Sequence, residues 1–131
     1  LSCCKSTVKR QFPNKITIFI QRMKDAPMNE WNKQLIEEKI QAKETFCLYL
    51  YTPMCGTCQV ASKMLLIAKE ILPAIVFAKS NANYLRELAY ELEIESVPCL
   101  LLIEKGNILK KIYAFQSVPY LVETIKNTIA K

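Results

Sequence analysis

Phe46-Cys47-Leu48-Tyr49-Leu50-Tyr51-Thr52-Pro53-Met54-Cys55-Gly56-Thr57-Cys58 is the stretch on which the fold turns. Its first six residues are apolar almost throughout, the pattern of a central strand covered on both faces. Thr52-Pro53 ends that strand. Beyond the cysteines, Val60, Ala61, Met64, Leu65 and Ala68 recur at helical spacing and predict an amphipathic helix to about Leu72, where Pro73 stops it. The two cysteines therefore fall at a strand-to-helix junction, on the amino end of the helix.

That placement carries chemistry. Cysteines two residues apart at a helix start can close a small disulfide ring. The exposed N–H groups and partial positive charge of the helix end stabilise a thiolate, the attacking species in disulfide exchange. Cys55 is the expected nucleophile, and Cys58, one turn further in, would resolve the mixed disulfide. The same spacing is also half a zinc site, which needs two further ligands. The chain has no histidine and no second Cys-x-x-Cys, but Cys99, Cys47 or the adjacent Cys3 and Cys4 could supply thiols. The junction favours the redox reading, and the metal reading stays open beside it.

Outward from the pair, the chain alternates strand and helix signals. Ile16-Thr17-Ile18-Phe19-Ile20 reads as a first strand. Asn29 is the expected cap of a helix to about Ala42, with Trp31, Leu35, Ile36 and Ile40 on one face. After the central strand and helix come a third strand, Ile75-Val76-Phe77-Ala78, and a short helix from Asn83 to about Leu92. Val97-Pro98 precedes a fourth strand, Cys99 to Ile103. Lys105-Gly106-Asn107 reads as a hairpin turn, Ile108 to Phe115 as a fifth strand, and Ser117 as the cap of a last helix to about Ala130. The predicted order, βαβαβαββα, implies parallel crossovers closed by an antiparallel hairpin: an α/β fold with a mixed central sheet and helices on both faces.

The 131 residues suit one domain, and 51% hydrophobic residues suffice for one core. Residues 1–15 are polar and basic and read as a tail or extension; 16–131 read as the domain. Met23 would open a domain-sized chain of its own, so the residues before it are expected to be an addition to a smaller unit. The net charge of +6 is scattered, without the basic runs of a nucleic-acid binder, and reads as a solvated surface. No apolar run approaches the roughly 20 residues of a membrane span. The cysteine pattern and the lack of a visible signal peptide favour the cytoplasm. A lipoprotein anchored through Cys3 or Cys4 is the alternative.

Four features resemble the thioredoxin family. Tyr51-Thr52-Pro53-Met54-Cys55-Gly56-Thr57-Cys58 matches its active-site junction, Val97-Pro98 its cis-proline, Gly106 the glycine of its hairpin, and Lys79 the lysine beneath its active site. The match runs over about Ile16 to Ala130. It is similar above all to small thioredoxin-like proteins of Gram-positive bacilli, which share Tyr-Thr-Pro-x-Cys-Gly-Thr-Cys and Ser-Val-Pro-Cys. The resemblance implies a thioredoxin fold and a thiol–disulfide oxidoreductase that exchanges disulfides with protein substrates through Cys55 and Cys58, with no cofactor. An upstream thiol reductase would be a further partner. It also implies that Val97 offers its backbone to the substrate chain beside a cis Pro98.

Three departures mark the site as atypical. Met54 stands where the family usually has tryptophan, Thr57 where it has proline, and Tyr49 where it has a buried carboxylate six residues before the first cysteine. That carboxylate helps move the proton of the resolving cysteine. Here water, Lys79 or the phenol would have to do so, unless Tyr49 is simply a core residue. The Thr57 hydroxyl could hydrogen-bond a thiolate. Cys99, next to Pro98, is expected near the pair, as a small buried hydrophobe or as a third thiol for a metal or iron–sulfur cluster. A module that keeps the fold but binds partners without turnover is the remaining alternative.

Overall fold

A computed structural model of the chain describes residues 28–129. The predicted strand at 16–20 and the basic tail lie outside them. The described elements are β1 (Asn29–Glu30), α1 (Lys33–Gln41), β2 (Phe46–Tyr51), α2 (Gly56–Ile71), β3 (Phe77–Asn81), a 3₁₀ turn (Ala82–Tyr84), α3 (Arg86–Glu91), β4 (Cys99–Glu104), β5 (Asn107–Ile112) and α4 (Val118–Thr128). The strands form one five-stranded sheet in the order β1-β3-β2-β4-β5. β3 is parallel to β1 and β2, whereas β4 runs antiparallel to β2 and β5. The expected mixed sheet is therefore present.

Alternation along β2 and β4 divides the core into two layers. Cys47, Tyr49, Leu100 and Leu102 face Ala61 and Leu65 of α2 and Leu121 and Ile125 of α4. Phe46, Leu48, Leu50, Cys99, Leu101 and Ile103 pack with Trp31, Ile36 of α1 and Leu88 of α3 on the opposite side. With helices on both faces, all these strand residues are buried, which accounts for the unbroken apolar runs.

Several boundaries differ from expectation. Asn29 does not cap α1: it pairs with Ala78 in the sheet, and Trp31 N–H still donates to the Lys79 carbonyl, so the chain is extended until Asn32. Asn32 is the cap, its side-chain oxygen accepting from Leu35 N–H at 2.8 Å. β3 begins two residues later than expected, because Ile75 N–H turns back to the Leu72 carbonyl after the α2 end. It also runs on through Lys79-Ser80-Asn81, polar residues that the apolar pattern excluded; the Ser80 hydroxyl donates to the Trp31 carbonyl at 2.6 Å. Asn81, not Asn83, provides the cap after β3, and it caps the 3₁₀ turn, while α3 has no side-chain cap. β5 ends at Ile112, leaving Phe115 as a buried loop residue. Val60 is exposed rather than part of the α2 stripe, whose buried positions are Cys58, Ala61, Leu65 and Ala68. Ser117 caps α4 as expected, accepting from Tyr120 N–H.

The β4–β5 hairpin turns at Lys105 and Gly106, both with positive φ (51° and 82°), as a two-residue hairpin loop requires. A Cβ on Gly106 would lie 2.6 Å from the Ile40 carbonyl oxygen, so only glycine lets the turn pack on the end of α1.

Candidate active site

Cys55 is the N-cap of α2. Its backbone is extended (φ −90°, ψ 114°), and its sulfur accepts the Cys58 N–H at 3.2 Å, one of the donors a helix start leaves unpaired. The Thr57 hydroxyl lies 3.3 Å from the same sulfur. Hydrogen bonds with Cys58 first, and with Thr57 second, hold the Cys55 thiol below the ordinary thiol range. Cys58 is buried against the sheet, and burial pushes its thiol up, with the hydrogen bond to Cys55 adding to the shift. The two environments thus separate a half-buried thiol held low from a buried one held high.

Tyr49 lies directly beneath the pair. It is 1% exposed and donates its hydroxyl to the Cys58 carbonyl at 2.6 Å, tying the second strand to the first turn of α2. Burial, chiefly, pushes its phenol well above the ordinary tyrosine range, so it stays protonated. The same hydroxyl favours the thiolate of Cys58, opposing the effect of burial there. Tyr49 stacks on Tyr51 (centroids 5.9 Å apart, planes at 19°) and tilts against Phe115.

A cleft of about 360 Å³ opens on the Cys58 side, lined among others by Tyr49, Tyr51, Cys58, Lys63 and Lys79. The Lys79 ammonium stands 5.5 Å above the Tyr51 ring. The Tyr51 hydroxyl donates to both carboxylate oxygens of Glu30 at 2.9 Å. Neither Tyr51, beyond its place in the motif, nor Glu30 stood out in the sequence. Glu30 reaches Tyr51 only because β1 pairs with β3, a long-range relation that no local pattern reports.

On the other side of the pair the surface is bare. Met54 is 94% exposed, and a Cβ on Gly56 would meet nothing within 4 Å, so the fold itself does not demand glycine there. The Val97–Pro98 peptide bond is cis, and both residues are half-buried. Cys99 does not join the pair. It belongs to the core layer opposite α2, where burial pushes its thiol up to about 11 against the opposing pull of the Tyr113 hydroxyl. The expectation that it would lie near Cys55 and Cys58 fails because the residue after Pro98 begins β4 with its side chain on the far face of the sheet. Cys47 shares the α2 side, but burial pushes its thiol up to about 12. Among the described residues no group of three or more cysteine, aspartate or glutamate side chains could hold a metal ion.

A cysteine pair capping the helix after the central strand of a β1-β3-β2-β4-β5 sheet defines a thioredoxin-type site. The thioredoxin family model matches residues 27–127, and the chain belongs to that family. It is 50% identical over 96 residues to the thioredoxin-like protein YusE of Bacillus subtilis (strain 168), covering 72% of this chain and 91% of that protein. It is 26% identical over 101 residues to a thioredoxin H-type of Ricinus communis, covering 77% and 80%. Among solved structures, an N21Q mutant thioredoxin from Halobacterium salinarum NRC-1 superimposes with a TM-score of 0.69 at 18% identity, over 78% of this chain and 90% of that one.

Proposed function

We propose that the chain is a thiol–disulfide oxidoreductase that exchanges disulfides with protein substrates through the Cys55/Cys58 dithiol. The observation that carries this reading is the asymmetry of the pair: Cys55 caps α2 with its thiol held low, and Cys58 is buried with its thiol held high. The Cys55 thiolate attacks one sulfur of a substrate disulfide. The second substrate sulfur leaves as a thiolate, and a mixed disulfide forms on Cys55. Cys58 then gives up its proton and attacks Cys55. The Cys55–Cys58 bond forms, the bond to substrate breaks, and the substrate sulfur departs to be protonated by solvent. One substrate disulfide has become two thiols, and two protein thiols have become one disulfide. An upstream thiol reductase would reset the pair.

The bare surface over Gly56 and beside Met54 leaves room for a substrate chain, with Val97 and Pro98 as its docking edge. The likeness to the family supports that role. The placement of Tyr49, bonded to a backbone carbonyl and held protonated, supports a supporting rather than a base function. Lys79 and Lys63, which line the cleft with Cys58, are then the cations beside the path of the Cys58 proton. The metal reading is weakened by Cys99, which the sheet separates from the pair. Among the described residues no helix is long and apolar enough to cross a membrane. The cysteine pattern supports a cytoplasmic setting.

The test is insulin-type reduction by the Cys55→Ser variant, together with trapping of partners on Cys58→Ala. The expected results are loss of reduction in the first and covalent mixed disulfides in the second. Reduction retained by Cys55→Ser, or only non-covalent capture by Cys58→Ala, would count against exchange and favour a binding module.

A further inference from the structure

The family's carboxylate beneath the pair is replaced by Tyr49, yet the carboxylate of Glu30 bonds Tyr51, one of the residues that line the cleft. Glu30 of β1 is the register partner of Lys79 on β3, and Lys79 is the register partner of Tyr49 on β2. Paired residues project to the same side of a sheet, so Glu30, Lys79 and Tyr49 form one row on the face that carries α2. From that row a continuous set of contacts leads inward. Glu30 accepts the Tyr51 hydroxyl on both oxygens, and the Tyr51 ring stacks on Tyr49. Tyr49 in turn holds the Cys58 carbonyl at 2.6 Å. The Tyr51 ring also carries the Lys79 ammonium. Tyr51 can do this only as a neutral donor, and burial together with the bond to Glu30 keeps its phenol protonated, pushed up to about 12.

The geometry points to Glu30 as a positioning residue for the resolving cysteine: by anchoring the Tyr51 hydroxyl it sets the aromatic wall that supports Tyr49 and Cys58 and carries Lys79 at the mouth of the cleft. The inference rests on the exchange reaction proposed above. In its second step Cys58 attacks in line, so the substrate sulfur leaves on the side of Cys55 away from Cys58. The cleft on the Cys58 side is therefore free to admit solvent, which takes the Cys58 proton as the Cys55–Cys58 bond forms and the Cys55–substrate bond breaks. A Tyr51 ring without its anchor would swing into or out of that cleft and disturb the second step alone, because the hydrogen bonds of Cys55 run to Cys58, Thr57 and the Thr52 carbonyl and not to Glu30 or Tyr51.

A single stopped-flow experiment reads both steps. Reduced protein is mixed with a dithiobis-nitrobenzoate disulfide: attack by Cys55 releases the first coloured thiolate, and resolution by Cys58 releases the second. Cys3 and Cys4 are replaced by serine throughout so that they do not contribute. Glu30→Ala and Tyr51→Phe should leave the first phase within about twofold and slow the second by about three- to tenfold, the kinetic equivalent of one modest hydrogen bond. Glu30→Gln, which keeps an acceptor for the phenol, should restore the second phase to within about twofold of the parent. The double variant Glu30→Ala/Tyr51→Phe should be no slower than either single one, since both remove the same bond. An unchanged second phase in Glu30→Ala, slowing that multiplies in the double variant, or equal slowing of both phases would overturn the inference while leaving exchange itself intact. Failure of Glu30→Gln to rescue would also overturn it, by showing that the charge rather than the anchor matters. A parent protein that releases only the first thiolate would overturn both this inference and the exchange reading.

Discussion

Replacing Tyr49 by phenylalanine isolates what the phenol does beneath the cysteine pair. The ring, its burial and its packing on Tyr51 and Phe115 stay; only the hydroxyl that donates to the Cys58 carbonyl at 2.6 Å is lost. The stranded partner is an acceptor inside α2, which keeps its intrahelical bond, so no buried group is left wholly unpaired. The cost should therefore fall in the range of an ordinary neutral hydrogen bond, about 0.5–1.5 kcal/mol, rather than that of a buried orphan. For a domain of this size that is a fall in melting temperature of roughly 3–10 °C. Tyr49→Ala, which also removes a fully buried ring, should cost about 3–5 kcal/mol. The effect on catalysis should be mild in Tyr49→Phe. A phenol held protonated is no base, and what disappears is a hydrogen bond that favours the Cys58 thiolate, so the Cys58 thiol should titrate somewhat higher. Equilibrium denaturation and insulin-type turnover measure the two sides. Loss of more than about 3 kcal/mol, or complete loss of turnover in a folded Tyr49→Phe protein, would refute the reasoning and make the phenol an obligatory proton carrier.

Three further outcomes follow from the same geometry. Cys55 should be alkylated by iodoacetamide with a pH midpoint below that of an ordinary thiol, the rate rising with pH through that lowered value; Thr57→Ala should move the midpoint up, because it removes a bond that favours the thiolate. The associated stability is present above the ordinary thiol range and is lost as pH falls through the lowered Cys55 value, so a denaturation series should show that sign. Gly106→Ala should destabilise by at least about 1–3 kcal/mol in chemical denaturation, since φ is +82° and the added Cβ meets the Ile40 carbonyl oxygen at 2.6 Å. Ser117→Ala should cost about 1 kcal/mol by removing the α4 cap, and Ser117→Asp should recover most of it in the same assay.

What could be read in advance was what local pattern encodes. The unbroken apolar run of β2 followed by a helical stripe placed Cys55 and Cys58 on a helix start, and that junction survives residue for residue. Boundaries set by partners rather than by the local run were less legible. Asn29 and Glu30 carry no strand signature, and they are a strand only because β3 pairs with them. Lys79, Ser80 and Asn81 look like a loop but continue β3, since the sheet and the Trp31 carbonyl satisfy their polar groups. Cys99 follows Pro98 directly, yet strand alternation sends its side chain to the far layer, a one-residue matter of phase. Glu30 and Tyr51 lie 21 positions apart in sequence and meet through sheet order alone.

The central claim is that Cys55 and Cys58 act as one dithiol. The most direct test is a redox titration of the reduced full chain in defined thiol–disulfide buffers, with both residues read by alkylation and peptide mass. The account predicts that they are protected together, as one intramolecular disulfide. They should follow a single two-electron curve in which each tenfold change in the ratio of oxidised to reduced protein spans about 30 mV. Independent titration of the two thiols, or two thiols that stay free across the whole range, would contradict it.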